Sequence, residues 1–143
     1  MQIGDNPARR LLVVVAAALV DGRGRVLLAQ RPEGKAFAGL WEFPGGKLEP
    51  GEGPEAALAR ELDEELDVRV EREAMTPFAF ASHGYADFDL LMPLYLVRRW
   101  SGEPRAVEGG AVVWAGASAL ARYAMPPADG PLVEDLLSRG VLQ

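Results

Sequence analysis

The sequence predicts an α/β layered domain built from a mixed β-sheet and two helices. Short Val-rich and aromatic runs, bounded by Gly, Pro and Asp turns, recur along the chain and read as strands. A stripe of Leu58, Leu62 and Leu66, spaced every four residues, marks one helix in the middle of the chain. A second apolar helical segment closes it, so the helices are well separated in sequence. The 143 residues suffice for one domain, spanning 1–143, with a real core, and leave no room for two.

The elements follow in order. Leu11 to Val20 is an unbroken apolar run, which reads as a strand buried on both faces. With the preceding arginines it also has the outline of a signal peptide. The turn "DGRG" and a second strand, "RVLLAQ", follow at once, which favours a strand and predicts a hairpin. The run is also too short to span a bilayer. "RPEGKAFAGLWEFPGG" is then a Gly/Pro-punctuated loop with a short aromatic strand at Trp41 to Phe43. Pro54 suits a first helical position, with Gly53 as a weak cap, and the helix should end near Asp67. "TPFAFASH" and "DFDLLMPLYLVRRW" are two further strands around a loop. "SGEP" is a turn, "AVVWAG" another strand, and Leu132 to Ser138 a last helix closed by Gly140.

Bulk composition excludes several function classes. A net charge of −6 disfavours duplex DNA and anionic membranes as partners of the overall field. A small polyanion would need local basic residues or metal ions. There is no cysteine and one histidine, His83, which removes disulfides, a cysteine nucleophile and structural zinc. Absence of cysteine agrees with a reducing cytoplasm. His83 falls in an expected loop, where a backbone-bonded histidine is the plain reading.

Acidic residues crowd the central helix. At ~100° per residue, Glu61, Glu64 and Glu65 fall beside the leucine stripe, close enough to converge on one point. Arg60, the one basic residue within the helix, reaches Glu64 at i+4. Converging carboxylates suit a hard divalent cation, since Mg²⁺ takes one or two carboxylates plus waters and substrate phosphate. Helix geometry alone leaves an exposed, solvated acidic face as an equal alternative.

Spacing separates the two. Gly46, five residues, Glu52, seven residues, then "RELDEELDV" resembles the signature of the Nudix hydrolases. One position departs from it: Asp67 stands where glycine is usual. Helix chemistry by itself requires neither Gly46 nor Glu52. The flanking stretches "LLAQRP…LWEFPGGK", "RRWSGEPRAVEGG", "VVW" and "YAMPPADGP" resemble the MutT-type group over roughly residues 11–137.

The resemblance implies a Nudix-type α/β/α sandwich and a Mg²⁺-dependent (Mn²⁺ possible) nucleoside triphosphate pyrophosphohydrolase. Such an enzyme releases a nucleoside monophosphate and pyrophosphate and cleans the nucleotide pool of species such as 8-oxo-dGTP. By position it implies Glu61, Glu64, Glu65, the Gly45 carbonyl and Glu108 as metal ligands. Arg60 would orient the glutamates, and Glu52 would support them or act as a base. Glu61 and Glu108 both stand as general base.

Arg31 matches a substrate-contacting arginine, against a solvated hairpin-end residue. Glu108 has a plain alternative as an exposed loop acid. Phe78 is a candidate for base stacking, although aromatics in strands are more often core. Asp129 replaces an asparagine that reads the base in 8-oxoguanine-specific relatives; the alternative is a cap on the last helix. An ionised Asp only accepts hydrogen bonds, so CTP or 5-methyl-dCTP competes as substrate with 8-oxo-dGTP. Another nucleoside-diphosphate-linked substrate, or a catalytically silent nucleotide-binding module, completes the alternatives. The expected partner is a small nucleotide, with no nucleic acid polymer and no membrane; no oligomeric state is legible. A P-loop reading of "GGK" fails on spacing.

Overall fold

A computed structural model describes residues 9–143. Strand β1 (Arg10–Leu19) organises it. Its residues alternate between two packing clusters. Val15, Ala17 and Leu19 pack with Leu58, Leu62 and Leu66 of helix α1 (Pro54–Leu66). Ala16, Ala18 and Val20 pack with Leu132 and Leu136 of helix α2 (Gly130–Ser138). A strand apolar on both faces thus becomes the middle of a helix–sheet–helix sandwich. Each fully buried leucine in these layers contributes roughly 1.5–3 kcal/mol of transfer free energy.

The main sheet adds β4 (Gly45–Lys47), β5 (Met75–Gly84) and β6 (Phe88–Val97), in the order β4-β1-β6-β5. It is mixed: β1 runs parallel to β6, with Ala17 opposite Tyr95, and the other pairs are antiparallel. A second, antiparallel sheet holds β2 (Val26–Gln30) between β3 (Trp41–Glu42) and β7 (Val112–Ala115).

The expected hairpin between the first two strands does not form. Only Val20 and Val26 bridge, and the strands then part into different sheets. The turn is built as foreseen, with the Arg23 and Arg25 amides donating to Asp21 Oδ1 at 3.0 and 2.9 Å. Both strands are apolar on both faces and so sit centrally in a sheet. The two edges of β1 are already taken by β4 and β6, so β2 recruits its own neighbours.

Strand β4 was read as loop because glycines disfavour strands. Here the missing side chain is what permits the pairing: a Cβ on Gly45 would collide with the Val15 carbonyl. His83 is likewise in a strand, near the end of β5, its ring 4.6 Å from that of Tyr85. No helix among the described residues is long and apolar enough to cross a membrane.

Pro54 begins α1 behind Gly53, and Asp67 ends it in the left-handed conformation (φ 58°, ψ 38°). Its amide donates to the Asp63 carbonyl at 3.1 Å. Its exposed carboxylate meets Arg69 at 3.4 Å and Arg105 at 3.3 Å, pairs that add little at the surface. Asp67→Gly is therefore expected to raise stability by about 1 kcal/mol, the left-handed cost relieved. Chemical denaturation of the two proteins checks it.

Candidate active site

Burial of Leu58, Leu62 and Leu66 turns Glu61 and Glu65 towards β4, where they line a cleft of about 430 Å³. Gly45 and Gly46 of β4 line the same cleft. A Cβ on Gly46 would lie 2.5 and 2.7 Å from the Glu61 carboxylate oxygens, so only glycine leaves that carboxylate room. Glu65 is half-buried; desolvation, then the charge of Glu61, push its carboxyl well above the usual range.

Arg60 is the hub of the helix's outer side. Its Nε and Nη2 donate to the two oxygens of Glu52 at 2.8 and 2.9 Å. Nη1 donates to Glu61 Oε1 at 3.0 Å and Glu64 Oε2 at 3.4 Å, and Nη2 to the Lys47 carbonyl at 3.1 Å. The Arg60 fork and the Glu49 amide hold Glu52 down at about 2. A carboxylate so tightly held is a poor proton acceptor, so the geometry gives Glu52 a supporting place rather than that of a base.

Glu64 does not join Glu61 and Glu65 in the cleft. It is half-exposed and leans on Arg60. Of the three glutamates expected to converge, Glu61 and Glu65 line the cleft, while Glu64 stands at its side against Arg60. No group of three acidic or histidine side chains among the described residues forms a ready cage. Glu61, Glu65 and Glu108 nevertheless supply oxygen donors to the cleft, and no histidine or cysteine lines it. That donor set suits Mg²⁺ or Mn²⁺, which complete their shell with water and phosphate, rather than zinc.

Glu108 reaches the cleft because its loop docks on the end of α1. The Arg105 and Val107 amides donate to the carbonyls of Leu66 and Glu65 at 3.1 and 3.0 Å. At the other end of the loop the Gln30 amide donates to the Ala111 carbonyl at 2.8 Å. Beyond β2, Arg31 lines the cleft with its Nη1 on both oxygens of Glu42, at 3.2 and 3.0 Å, and its Nε on the Ala36 carbonyl at 2.6 Å. With Lys35 and Lys47 it provides local positive charge in an acidic chain.

Asp129 also lines the cleft and is 2% exposed. It precedes α2, yet its side chain makes no capping bond, so the cap alternative does not describe it. Phe78 does not line this cleft. It packs in the same apolar cluster as Phe43 and Met92, which do line the cleft, with the Arg139 guanidinium 3.8 Å above its ring and Arg139 Nη1 donating to its carbonyl at 2.7 Å. The pairing with α2 accounts for its place as packing.

Sequence reasoning missed Glu42. Its signal was present: an acid between Trp41 and Phe43 in a strand faces away from Phe43, which is core. Burial pushes its carboxyl up while Arg31 pulls it down.

The chain matches a family model described as NUDIX domain over residues 15–135. It is 39% identical over 129 residues to the CTP pyrophosphohydrolase of Escherichia coli K12, covering 89% of this chain and 93% of that one. It is 38% identical over 131 residues to the 8-oxo-dGTP diphosphatase of Haemophilus influenzae, covering 91% and 94%. A crystal structure of a MutT NUDIX hydrolase from Burkholderia pseudomallei superposes with a TM-score of 0.80 at 33% identity, covering 90% of this chain and 99% of that one.

Proposed function

This chain belongs to the NUDIX family, and from that premise we propose that it hydrolyses nucleoside triphosphates to the monophosphate and pyrophosphate. The observation that carries the reading is the pairing of Glu61 and Glu65 on one wall of a cleft whose other residues include Arg31, Lys35 and Asp129. Like charges so placed suit a cation, and the basic residues suit a polyphosphate.

Glu61, Glu65 and Glu108, with the Gly45 carbonyl, would hold Mg²⁺ or Mn²⁺; Glu64 would join from the rim. The bound ion would neutralise phosphate charge and acidify a water. Arg60 keeps Glu61 oriented through a bond to one oxygen only. We assign Glu61 as the general base, with Glu108 as the rival. Glu52 acts through Arg60. Arg31 receives the triphosphate or the base beside it, and Asp129 with Glu42 reads the base. An acid at position 129 favours cytosine nucleotides alongside the oxidised guanine nucleotide named for the Haemophilus relative. We place the whole of 1–143 in one such domain, working on the cytoplasmic nucleotide pool.

The test is pyrophosphate release from a panel of natural, oxidised and methylated (d)NTPs, with products identified. The expected result is Mg²⁺-dependent release from 8-oxo-dGTP, CTP or 5-methyl-dCTP, abolished by EDTA. Tight nucleotide binding with no pyrophosphate from any of them would instead mark a silent binding module.

A further inference from the structure

Asp67, which stands where glycine is usual, puts a side chain between two stretches of chain that run side by side. Arg69 and Ser101 exchange both backbone bonds, at 3.0 and 2.9 Å. Nearer to α1, a Cβ on Gly102 would lie 2.8 Å from the Asp67 carbonyl, so the second stretch passes very close. The Arg105 amide then donates to the Leu66 carbonyl and the Val107 amide to that of Glu65, at 3.1 and 3.0 Å. Residues 101–107 thus run antiparallel to residues 65–69.

The Asp67 carboxylate bridges the two. Its Oδ1 accepts from Arg69 Nη2 at 3.4 Å and its Oδ2 from Arg105 Nε at 3.3 Å, one arginine from each stretch. A glycine would end α1 in the same left-handed conformation and supply neither bond. Next after Val107 comes Glu108, in the cleft. At its far end the loop is held by Gln30, whose amide donates to Ala111 and whose carbonyl would lie 2.7 Å from a Cβ on Gly110. Between these anchors lie Glu108 and Gly109, and a Cβ on Gly109 would meet nothing within 4 Å. The anchors therefore decide where the Glu108 carboxylate stands.

Resting on the reading of Glu108 as a metal-holding residue, we infer that Asp67 is a positioning residue whose carboxylate staples residues 101–107 to the end of α1 and so keeps Glu108 beside Glu65. The connection is direct, since the Val107 amide ends on the backbone of Glu65 itself. Exposed ion pairs of this kind shift an equilibrium by a factor of up to about five. That is enough to bias a short loop and adds little to the stability of a domain. The left-handed backbone of Asp67 costs stability while its carboxylate places a loop. Removing the side chain should move the two in opposite directions.

Amide hydrogen exchange of the metal-free protein tests the staple without turnover. In Asp67→Asn and Asp67→Gly the Arg105 and Val107 amides should exchange about two- to fivefold faster than in the native chain, while the Gln30 amide keeps its rate. Asn also accepts the left-handed conformation, so the first variant changes little else. Asp67→Gly should show the faster exchange together with a higher denaturation midpoint, a combination that a plain helix-end role does not give. In 1 M NaCl, where the Debye length is ~3 Å, the native rates should approach those of the variants. Arg105→Gln should match Asp67→Asn at Val107, and the double variant should add nothing.

Calorimetric titration with Mg²⁺ alone tests the connection to Glu108. Asp67→Asn and Arg105→Gln should each weaken binding by about two- to fivefold. The second removes a positive charge, which by electrostatics alone would tighten Mg²⁺. Unchanged exchange at Arg105 and Val107 in Asp67→Asn overturns the staple. Faster exchange with Mg²⁺ affinity unchanged, or tightened in Arg105→Gln, overturns its connection to Glu108. A native protein that binds no Mg²⁺ overturns the metal reading of the cleft instead, and the exchange rates still decide the staple.

Discussion

Exchanging Glu65 for Gln is expected to stop turnover and to stabilise the fold in the same step. The amide keeps the size of the carboxyl but is a poor partner for a hard cation, so the rate should fall by at least about 100-fold. The gain in stability has a separate origin. Glu65 is half-buried beside Glu61, and desolvation with the neighbouring charge holds its carboxyl above the ordinary value of 4.5.

Between 4.5 and its folded value the native state binds a proton that the unfolded chain has released. Stability therefore falls as pH rises through that window. Glu65→Gln removes the group, so its advantage should be absent near pH 4 and grow towards pH 8. Thermal denaturation in EDTA across that range checks it. Added Mg²⁺ should raise the midpoint of the native protein and leave the variant nearly unmoved, since binding to the folded state alone stabilises by mass action. A variant that is less stable than the native chain at pH 8, or that still gains with Mg²⁺, would remove Glu65 from the site.

Much of this was legible in the sequence because local rules and tertiary packing agree. The uninterrupted run at Leu11–Val20 read as a strand buried on both faces, and its alternate residues do pack against the two helices. The leucine stripe fixed which side of α1 is core and hence where Glu61 and Glu65 point. The end of α1 at Asp67 also falls where the sequence placed it.

The readings that failed depend on contacts distant in sequence. Whether β1 pairs with β2 is decided by β4 and β6, and β6 lies far along the chain. Gly45 enters a strand because a carbonyl on β1 needs the space. Phe78 faces α2 because Arg139 lies over it, a pairing between residues 61 apart. Glu42 was passed over because a lone acid in a short strand carries no spacing signal; its meaning comes from Arg31 and Asp129.

The other large effect is expected at Arg60, which touches neither cleft nor substrate in the reading given above. Arg60→Lys keeps the charge and loses the fork. One guanidinium spans both oxygens of Glu52, Glu61 Oε1 and the Lys47 carbonyl, all within 3.1 Å. A lysine ammonium is a compact point donor and cannot hold these directions at once. Glu61 would then lose the contact that fixes its carboxylate, and kcat should fall by about 10–100-fold, with weaker Mg²⁺ dependence to match.

The same ion pair leaves a pH signature in stability. Glu52 is held at about 2 in the folded protein against an ordinary 4.5, so its bond to Arg60 stabilises above that ordinary value and is lost as pH falls towards 2. The stability deficit of Arg60→Lys should accordingly be full above about pH 5 and shrink as both proteins are taken into acid. Glu52→Gln, which removes the same bond from the other side, should lower kcat in the same direction, and the double variant should be little worse than either single one. Independent, additive losses would mean that Arg60 and Glu52 serve the site separately, and native kcat in Arg60→Lys would mean that Glu61 needs no such support.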